Sequence, residues 1–306
     1  MRNHQPVLLH EAIENLGIKP EGIYVDATFG RGGHSAEILK KLNAKGCLLV
    51  IDKDLEAINV AANLNDPRVL VKHGSYTLLY EWINQLGLVG KINGILLDLG
   101  VSSPQLDDAK RGFSFLREGP LDMRMDISQK LSAAFVVNNY QEKELENIFR
   151  KYGEERFSKR IAHAIVSERD VAPIATTLQL ANIVSAAHPK WEHGKNPATR
   201  VFQALRIYVN SELEELESCL EQCLDVLAVS GRLLVISFHS LEDQIVKEFC
   251  RKHAKGGVFP IGLPLKHEQL DIKLKSLGKA IRSSELEIEN NPRARSAILR
   301  VMEKLK

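Results

Sequence analysis

Through the first hundred residues, short apolar runs alternate with stretches whose apolar positions recur every three or four residues, the pattern of parallel strands joined by helices. The runs predict strands over Ile23–Asp26, Cys47–Asp52, Val69–Lys72 and Ile92–Asp98. The stretches between them predict helices over Ser35–Asn43, Leu55–Leu64 and Thr77–Leu86. The next strand pattern, Arg232–Ser237, comes more than 130 residues later. A crossover between parallel strands needs only about a dozen residues, so this gap holds an inserted unit. Helical spacing recurs inside it over Glu142–Tyr152, Glu155–Ser167 and Thr177–Ala187, with breakers at Gly153, Pro173 and Pro189. From Pro197 to Val229 the pattern predicts one long helix that returns the chain to the sheet. Beyond Ser237 it predicts a helix over Leu241–Lys252, a polar loop near Gly256 and Gly257, and a terminal strand over Ala297–Glu303. The expected class is α/β: a doubly wound, Rossmann-like sheet built from residues 1–107 and 207–306, with an inserted, mainly helical domain over 108–206.

Composition narrows the function classes. With 306 residues, 44% hydrophobic and 26% charged, the chain can bury a sizeable core and is not a disordered polymer. No apolar run approaches the roughly 18 residues of a membrane span, and the first residues lack a leader pattern, so the expected location is cytoplasmic. The four cysteines, at 47, 219, 223 and 250, lack CxxC spacing; they read as reduced thiols, and no metal site is expected. The net charge of +2 hides an asymmetry: residues 1–107 carry −2 and 207–240 carry −5, whereas 108–206 carry +4 and 241–306 carry +5. Basic segments beside an acidic core suit a nucleic-acid partner; solvated helix faces would give the same count.

The first strand ends in an acid and enters a glycine turn, Asp26-Ala27-Thr28-Phe29-Gly30-Arg31-Gly32-Gly33-His34-Ser35, ahead of a helix. Glycines here permit positive φ and close backbone approach, and the helix start offers free N–H groups to a ligand. The spacing is not GxGxxG, so a dinucleotide is not the first choice, and a nucleotide-dependent oxidoreductase is the weaker alternative. The second strand ends in Asp52, placed to accept ribose hydroxyls of an adenosine; the bland alternative is a tight turn with a surface carboxylate. Tyr76, after the third strand, either flanks an adenine or belongs to the core. The fourth strand ends in Asp98-Leu99-Gly100-Val101-Ser102-Ser103-Pro104-Gln105, where amine-directed methyltransferases commonly carry an acidic or amide residue followed by prolines; here Asp98 is followed by a single proline, Pro104, offset from that spacing.

At these residues the sequence resembles the bacterial ribosomal RNA small-subunit methyltransferase H family, also called MraW. The matching strings are DATFGRGGHS (Asp26–Ser35), ILLDLGVSSPQLDDAKRGFSF (Ile95–Phe115) and GPLDMRMD (Gly119–Asp126). YGEERFSKRIA (Tyr152–Ala162), PATRVFQALRIYVNSELEELE (Pro197–Glu217), SGRLLVISFHSLEDQIVK (Ser230–Lys247) and NPRARSAILR (Asn291–Arg300) extend the match over nearly the whole chain. The resemblance implies a class I fold that uses S-adenosylmethionine (SAM), and methylation of N4 of a cytidine in the decoding region of 16S rRNA, within the small ribosomal subunit. It places the cofactor on Gly32, Gly33, His34, Asp52, Tyr76, Asp98 and Gln105, a set that overlaps the one read from the glycine turn, Gly30 included. Tyr76 departs from the phenylalanine often found at its position.

The expected catalytic residues are Asp98, Ser102, Ser103 and Pro104, whose loop would orient the N4 amine; Asp98 serving the cofactor alone is the other reading. Expected RNA contacts are Arg111, Arg124, Arg156, Arg160, Arg200, Arg206, His239, Arg293 and Arg295, each of which has a structural alternative as a salt-bridge or packing residue. A non-enzymatic ribosome-assembly factor would share the basic insertion but would need no cofactor site.

Overall fold

The computed structural model describes residues 6–189, 196–255 and 271–306. Two compact units divide the chain: Met1–Gly100 with Leu213–Lys306, and Val101–Glu212.

The elements of the first unit before the division are helices α1 (Leu9–Leu16), α2 (Gly33–Lys41), α3 (Leu55–Ala62) and α4 (Leu79–Gln85), and strands β1 (Ile23–Asp26), β2 (Cys47–Asp52), β3 (Val69–His73) and β4 (Ile92–Asp98). Helices α5 (Ser103–Asp107), α6 (Ala133–Asn139), α7 (Glu142–Gly153), α8 (Ser158–Arg169), α9 (Thr177–Ala187) and α10 (Ala198–Asn210) form the second unit. The chain then resumes the first unit with α11 (Glu212–Val226), β5 (Leu227–Ser237), α12 (Ser240–Ala254), β6 (Leu274–Ser276), β7 (Ile281–Arg282), α13 (Glu285–Asn290) and β8 (Ile298–Lys304).

Among the described residues, the strands form one sheet in the order β3-β2-β1-β4-β5-β8-β6, with β7 also on β8. The first five are parallel, with Val25 opposite both Leu49 and Ile95; β8 runs antiparallel to β5, with Leu234 opposite Val301. The order reverses between β1 and β4, so the crevice outside their carboxyl ends is the switch point where such sheets bind ligands.

Alternation along the buried strands divides the side chains between two cores. Tyr24, Leu48, Val50, Leu96 and Leu234 pack with Ala12, Ile13 and Leu16 of α1, Ile38 and Leu39 of α2, and Ala57 and Ala61 of α3. Val25, Leu49, Ile51, Ile95 and Leu97 pack on the other face with Trp82 and Ile83 of α4, Leu216, Leu220 and Leu224 of α11, and Val246 and Phe249 of α12. Each fully buried leucine contributes about 2 kcal/mol, several times what an exposed ion pair on a helix surface supplies, so burial decides where these helices lie.

The second unit is helical: α10 packs on α7, α7 on α8 and α8 on α9 around Phe149, Ile161, Ile165, Val201 and Leu205. Capping boxes begin α7 (Gln141 with Glu144) and α9 (Thr176 with Gln179). The single helix expected over Pro197–Val229 is two helices. Ser211 takes the left-handed conformation at φ 51°, and Asn210 before it is buried. The Asn210 amide accepts from the Met125 N–H at 2.8 Å and donates to the Met123 carbonyl at 2.7 Å, which holds the chain at the break. Arg206 and Glu212 join across it through two bonds of 2.8 Å. The polar loop expected near Gly256 and Gly257 lies outside the described residues.

Candidate active site

The turn after β1 owes its glycines first to its own packing. Gly32 sits at φ 75°, and a Cβ there would stand 2.6 Å from the Phe29 ring. A Cβ on Gly33 would stand 2.1 Å from Pro6 Cγ. These constraints add to the ligand approach expected from sequence, and the Pro6 contact had no local signal. α2 begins at Gly33 without a side-chain cap, so its leading N–H groups face the crevice end of the sheet uncapped by a side chain.

The carboxylate of Asp52 is fixed by backbone donors. Gly30 N–H donates to Oδ2 at 2.7 Å and Asp54 N–H to Oδ1 at 2.8 Å, with a further bond from the Lys53 backbone. A carboxylate has about four acceptor positions, so the acid is oriented and still retains capacity for a ribose hydroxyl. Burial raises its pKa against the pull of these donors. Gly74 N–H donates to the Asp52 carbonyl at 2.8 Å, which brings the end of β3, and Tyr76 two residues on, beside the same turn. Tyr76 is half-buried and opens a short 3₁₀ turn, Tyr76–Leu78.

Three titratable groups meet where β1 and β4 end. Asp26 is 1% exposed and accepts from Ser35 Oγ at 2.6 Å and from Thr28 N–H at 3.3 Å. Thr28 Oγ1 in turn accepts from Asp98 N–H at 2.6 Å, a link that sequence reasoning missed. His34 Nδ1 lies 3.7 Å from Asp98 Oδ2. The two do not form an ion pair at neutral pH. Burial pulls His34 down to about 4, while burial and the nearby Asp26 and Glu242 charges push Asp98 well above the usual carboxylate range. The Asp98 side chain is 25% exposed, yet its Oδ1 is enclosed and meets no hydrogen-bond donor among the described residues. A carboxyl in that state is poised to ionise when a cation arrives.

Asp26 itself is pushed up to about 6, chiefly by burial, from an ordinary value of 3.8. Between those values the folded chain keeps a proton that the unfolded chain has released, so this group lowers stability as pH rises through that window. Asp26→Asn removes the effect. The cofactor-free variant should gain on the order of 3 kcal/mol relative to the unsubstituted protein between about pH 4 and pH 6, then hold that difference. Urea unfolding across the range checks this; parallel stability curves would refute it.

The remaining expected site residues divide by unit. Ser102 and Gln105 form a capping box at α5, in which Ser102 N–H donates to Gln105 Oε1 at 2.8 Å, with Pro104 in the first turn and Ser103 buried. Three expected RNA contacts, Arg111, Arg124 and Arg206, make internal ties. Arg111 is buried and donates to the carbonyls of Arg124 and Met125. Arg124 grips both Asp122 oxygens at 2.7 Å and the carbonyls of Ile127 and Gln129. Arg206 is held by Glu212. His239, also expected on RNA, is the N-cap of α12: its Nδ1 accepts from Glu242 N–H, Glu242 Oε2 accepts from the N–H groups of Phe238 and His239, and the imidazole is only 10% exposed. Arg200 is half-buried and donates to the Glu154 carbonyl at 3.4 Å. Arg156, Arg160, Arg293 and Arg295 are exposed.

The sequence model of the MraW methylase family matches residues 1–305. A relative named ribosomal RNA small subunit methyltransferase H, from Legionella pneumophila (strain Paris), is 57% identical over 307 residues and covers 100% of both chains. One of the same name from Shewanella denitrificans is 51% identical over 305 residues, covering 99% of this chain and 97% of its own. The fold, the expected class I arrangement, and a match of this extent make the chain an SAM-dependent methyltransferase. It belongs to the MraW methylase family.

Proposed function

We propose that the chain methylates the exocyclic N4 amine of a cytidine in the decoding region of 16S rRNA. The observation that carries the rRNA reading is the full-length identity to relatives named for small-subunit rRNA methylation. The residues present fit the cofactor. The glycine turn excludes side chains, Asp52 is oriented for a ribose hydroxyl, and the enclosed Asp98 oxygen suits a positively charged group. When bound, SAM supplies an activated methyl group.

The chain's own task is positional. The lone pair of N4 is delocalised into the cytosine ring, so the amine attacks only when its N–H hydrogens are accepted, its lone pair is aimed and water is excluded. Ser102 and Ser103, in the segment continuing from β4, are assigned the acceptor role, with Pro104 stiffening the turn. No strong base is required, because the methylated amine becomes acidic and sheds its proton readily. A paired or stacked cytidine must be turned out before it can react. Exposed arginines of the insertion and of the C-terminal segment would hold the flanking phosphates.

Mass mapping of methylcytidines on small-subunit rRNA, from cells with and without this protein, tests the proposal. A single N4-methylcytidine in the decoding region should disappear with the protein. Loss of a methyl group at another base or atom would refute it.

A further inference from the structure

Glu215 lies on α11, 162 residues beyond Lys53, and no motif singles it out. Its carboxylate receives Lys53 Nζ at 2.8 Å on Oε1 and 3.0 Å on Oε2, and Ser75 Oγ donates to Oε2 at 2.8 Å. Both members of the ion pair are mostly buried, with side chains 15% and 19% exposed. Lys53 directly follows Asp52, and Ser75 directly precedes Tyr76. Ser75 Oγ also accepts from Thr77 N–H at 3.1 Å, and His73 Nε2 lies 3.1 Å from the Lys53 carbonyl. Two turns further along α11, Gln222 accepts from Tyr80 N–H at 2.8 Å and donates to the Thr77 carbonyl at 2.7 Å.

One helix thus grips the ends of two neighbouring strands at the residues beside the adenosine-binding candidates. A surface ion pair would mean little. This one is largely enclosed, converges with a hydroxyl on one carboxylate, and ties both loops to the same helix.

We propose that Glu215 is a positioning residue for the cofactor, holding the β2 and β3 ends at the spacing that presents Asp52 and Tyr76 to the adenosine half of SAM. The proposal rests on the assignment of Asp52 and Tyr76 to that half. Asp52→Ala is therefore the control: undiminished SAM affinity there would refute the assignment itself, separately from the clamp.

Removing one partner of an enclosed pair strands the other charge, so the test uses Lys53→Met/Glu215→Leu, which removes both. Calorimetry should find SAM and S-adenosylhomocysteine weakened equally, by about tenfold, because the two share their adenosine. Methyl transfer at saturating SAM should keep its kcat while KM for SAM rises. A purely structural role would reduce the folded fraction, and with it kcat, and leave KM alone. Unchanged affinity in the folded variant, or a loss confined to SAM, overturns the proposal. Should the double variant not fold, Ser75→Ala leaves the ion pair intact and releases only the Tyr76 side. It should weaken both ligands by about threefold, and unchanged binding would equally overturn the proposal.

Discussion

Asp98→Asn should weaken SAM binding by about a hundredfold and remove the part of its pH dependence that this carboxyl supplies. The effect originates in the cofactor-free protein. Among the described residues no donor reaches one enclosed oxygen of Asp98, and burial with the nearby Asp26 and Glu242 charges keeps its proton on well above the usual range. His34, 3.7 Å away, does not compensate, because burial holds it neutral down to about pH 4. A bound cation favours the ionised carboxylate, so binding expels the proton, and affinity grows as pH rises toward the pKa of the free protein. An asparagine side chain has no proton to expel. The same substitution should raise the stability of the cofactor-free fold, since it removes a carboxyl that the fold accommodates poorly. Calorimetry at several pH values, in buffers of different ionisation enthalpy, reads both the affinity and the proton released. If the Asp98→Asn variant binds SAM with the native pH slope, the cation sits elsewhere.

The strands were legible because buried parallel strands are written as uninterrupted apolar runs; Cys47–Asp52 and Ile92–Asp98 have the boundaries read from sequence. α1 was missed although Leu9, Ala12, Ile13 and Leu16 follow helical spacing, because it is only eight residues long and begins after Leu8 at φ 52° without a capping side chain. The break at Ser211 was hidden because it depends on Asn210 reaching a loop 85 residues earlier in the chain. Site residues show the same division. The glycine turn and Asp52 carry a local signature, a glycine cluster and an acid at a strand end, although Gly30 N–H reaches Asp52 across the sheet. Thr28, Pro6 and Glu215 act through partners distant in sequence, and nothing near them in the chain announces it. Arginines were the least legible. The same side chain serves phosphates or carbonyls, and Arg111 and Arg124 turned inward because their loop, with Met123 at φ 61°, leaves carbonyls that need donors.

That inward turn concentrates the expected phosphate contacts on the exposed arginines, and Arg156→Glu/Arg160→Glu is the sharpest test. Arg160 lies on α8 and Arg156 two residues before it, both exposed. Pairing with acids of their own segment would make them structural. Glu154 and Glu155 are the acids in reach; Glu155 is buried, accepts from Phe157 N–H at 2.7 Å and lies beside His188, the Arg156 guanidinium stands 5.9 Å from the Phe157 ring, and pairing with Glu154 is the structural alternative that the reversal tests. Each phosphate contact contributes roughly 0.7 to 0.9 to the slope of log affinity against log salt, so losing two should flatten that slope by about 1.5. At moderate ionic strength rRNA methylation should fall by at least about tenfold, with repulsion between the new carboxylates and the backbone adding to the loss. SAM affinity should stay native, because the cofactor candidates Gly30, Gly32, Gly33, His34, Asp52, Tyr76 and Asp98 belong to the other unit, and Gln105, which shares the unit of Arg156 and Arg160, is buried and held in its own capping box with Ser102. An unchanged salt slope and methylation rate would remove α8 from the RNA surface and leave Arg293 and Arg295, exposed on the turn Pro292–Ser296, as the residues to reverse next.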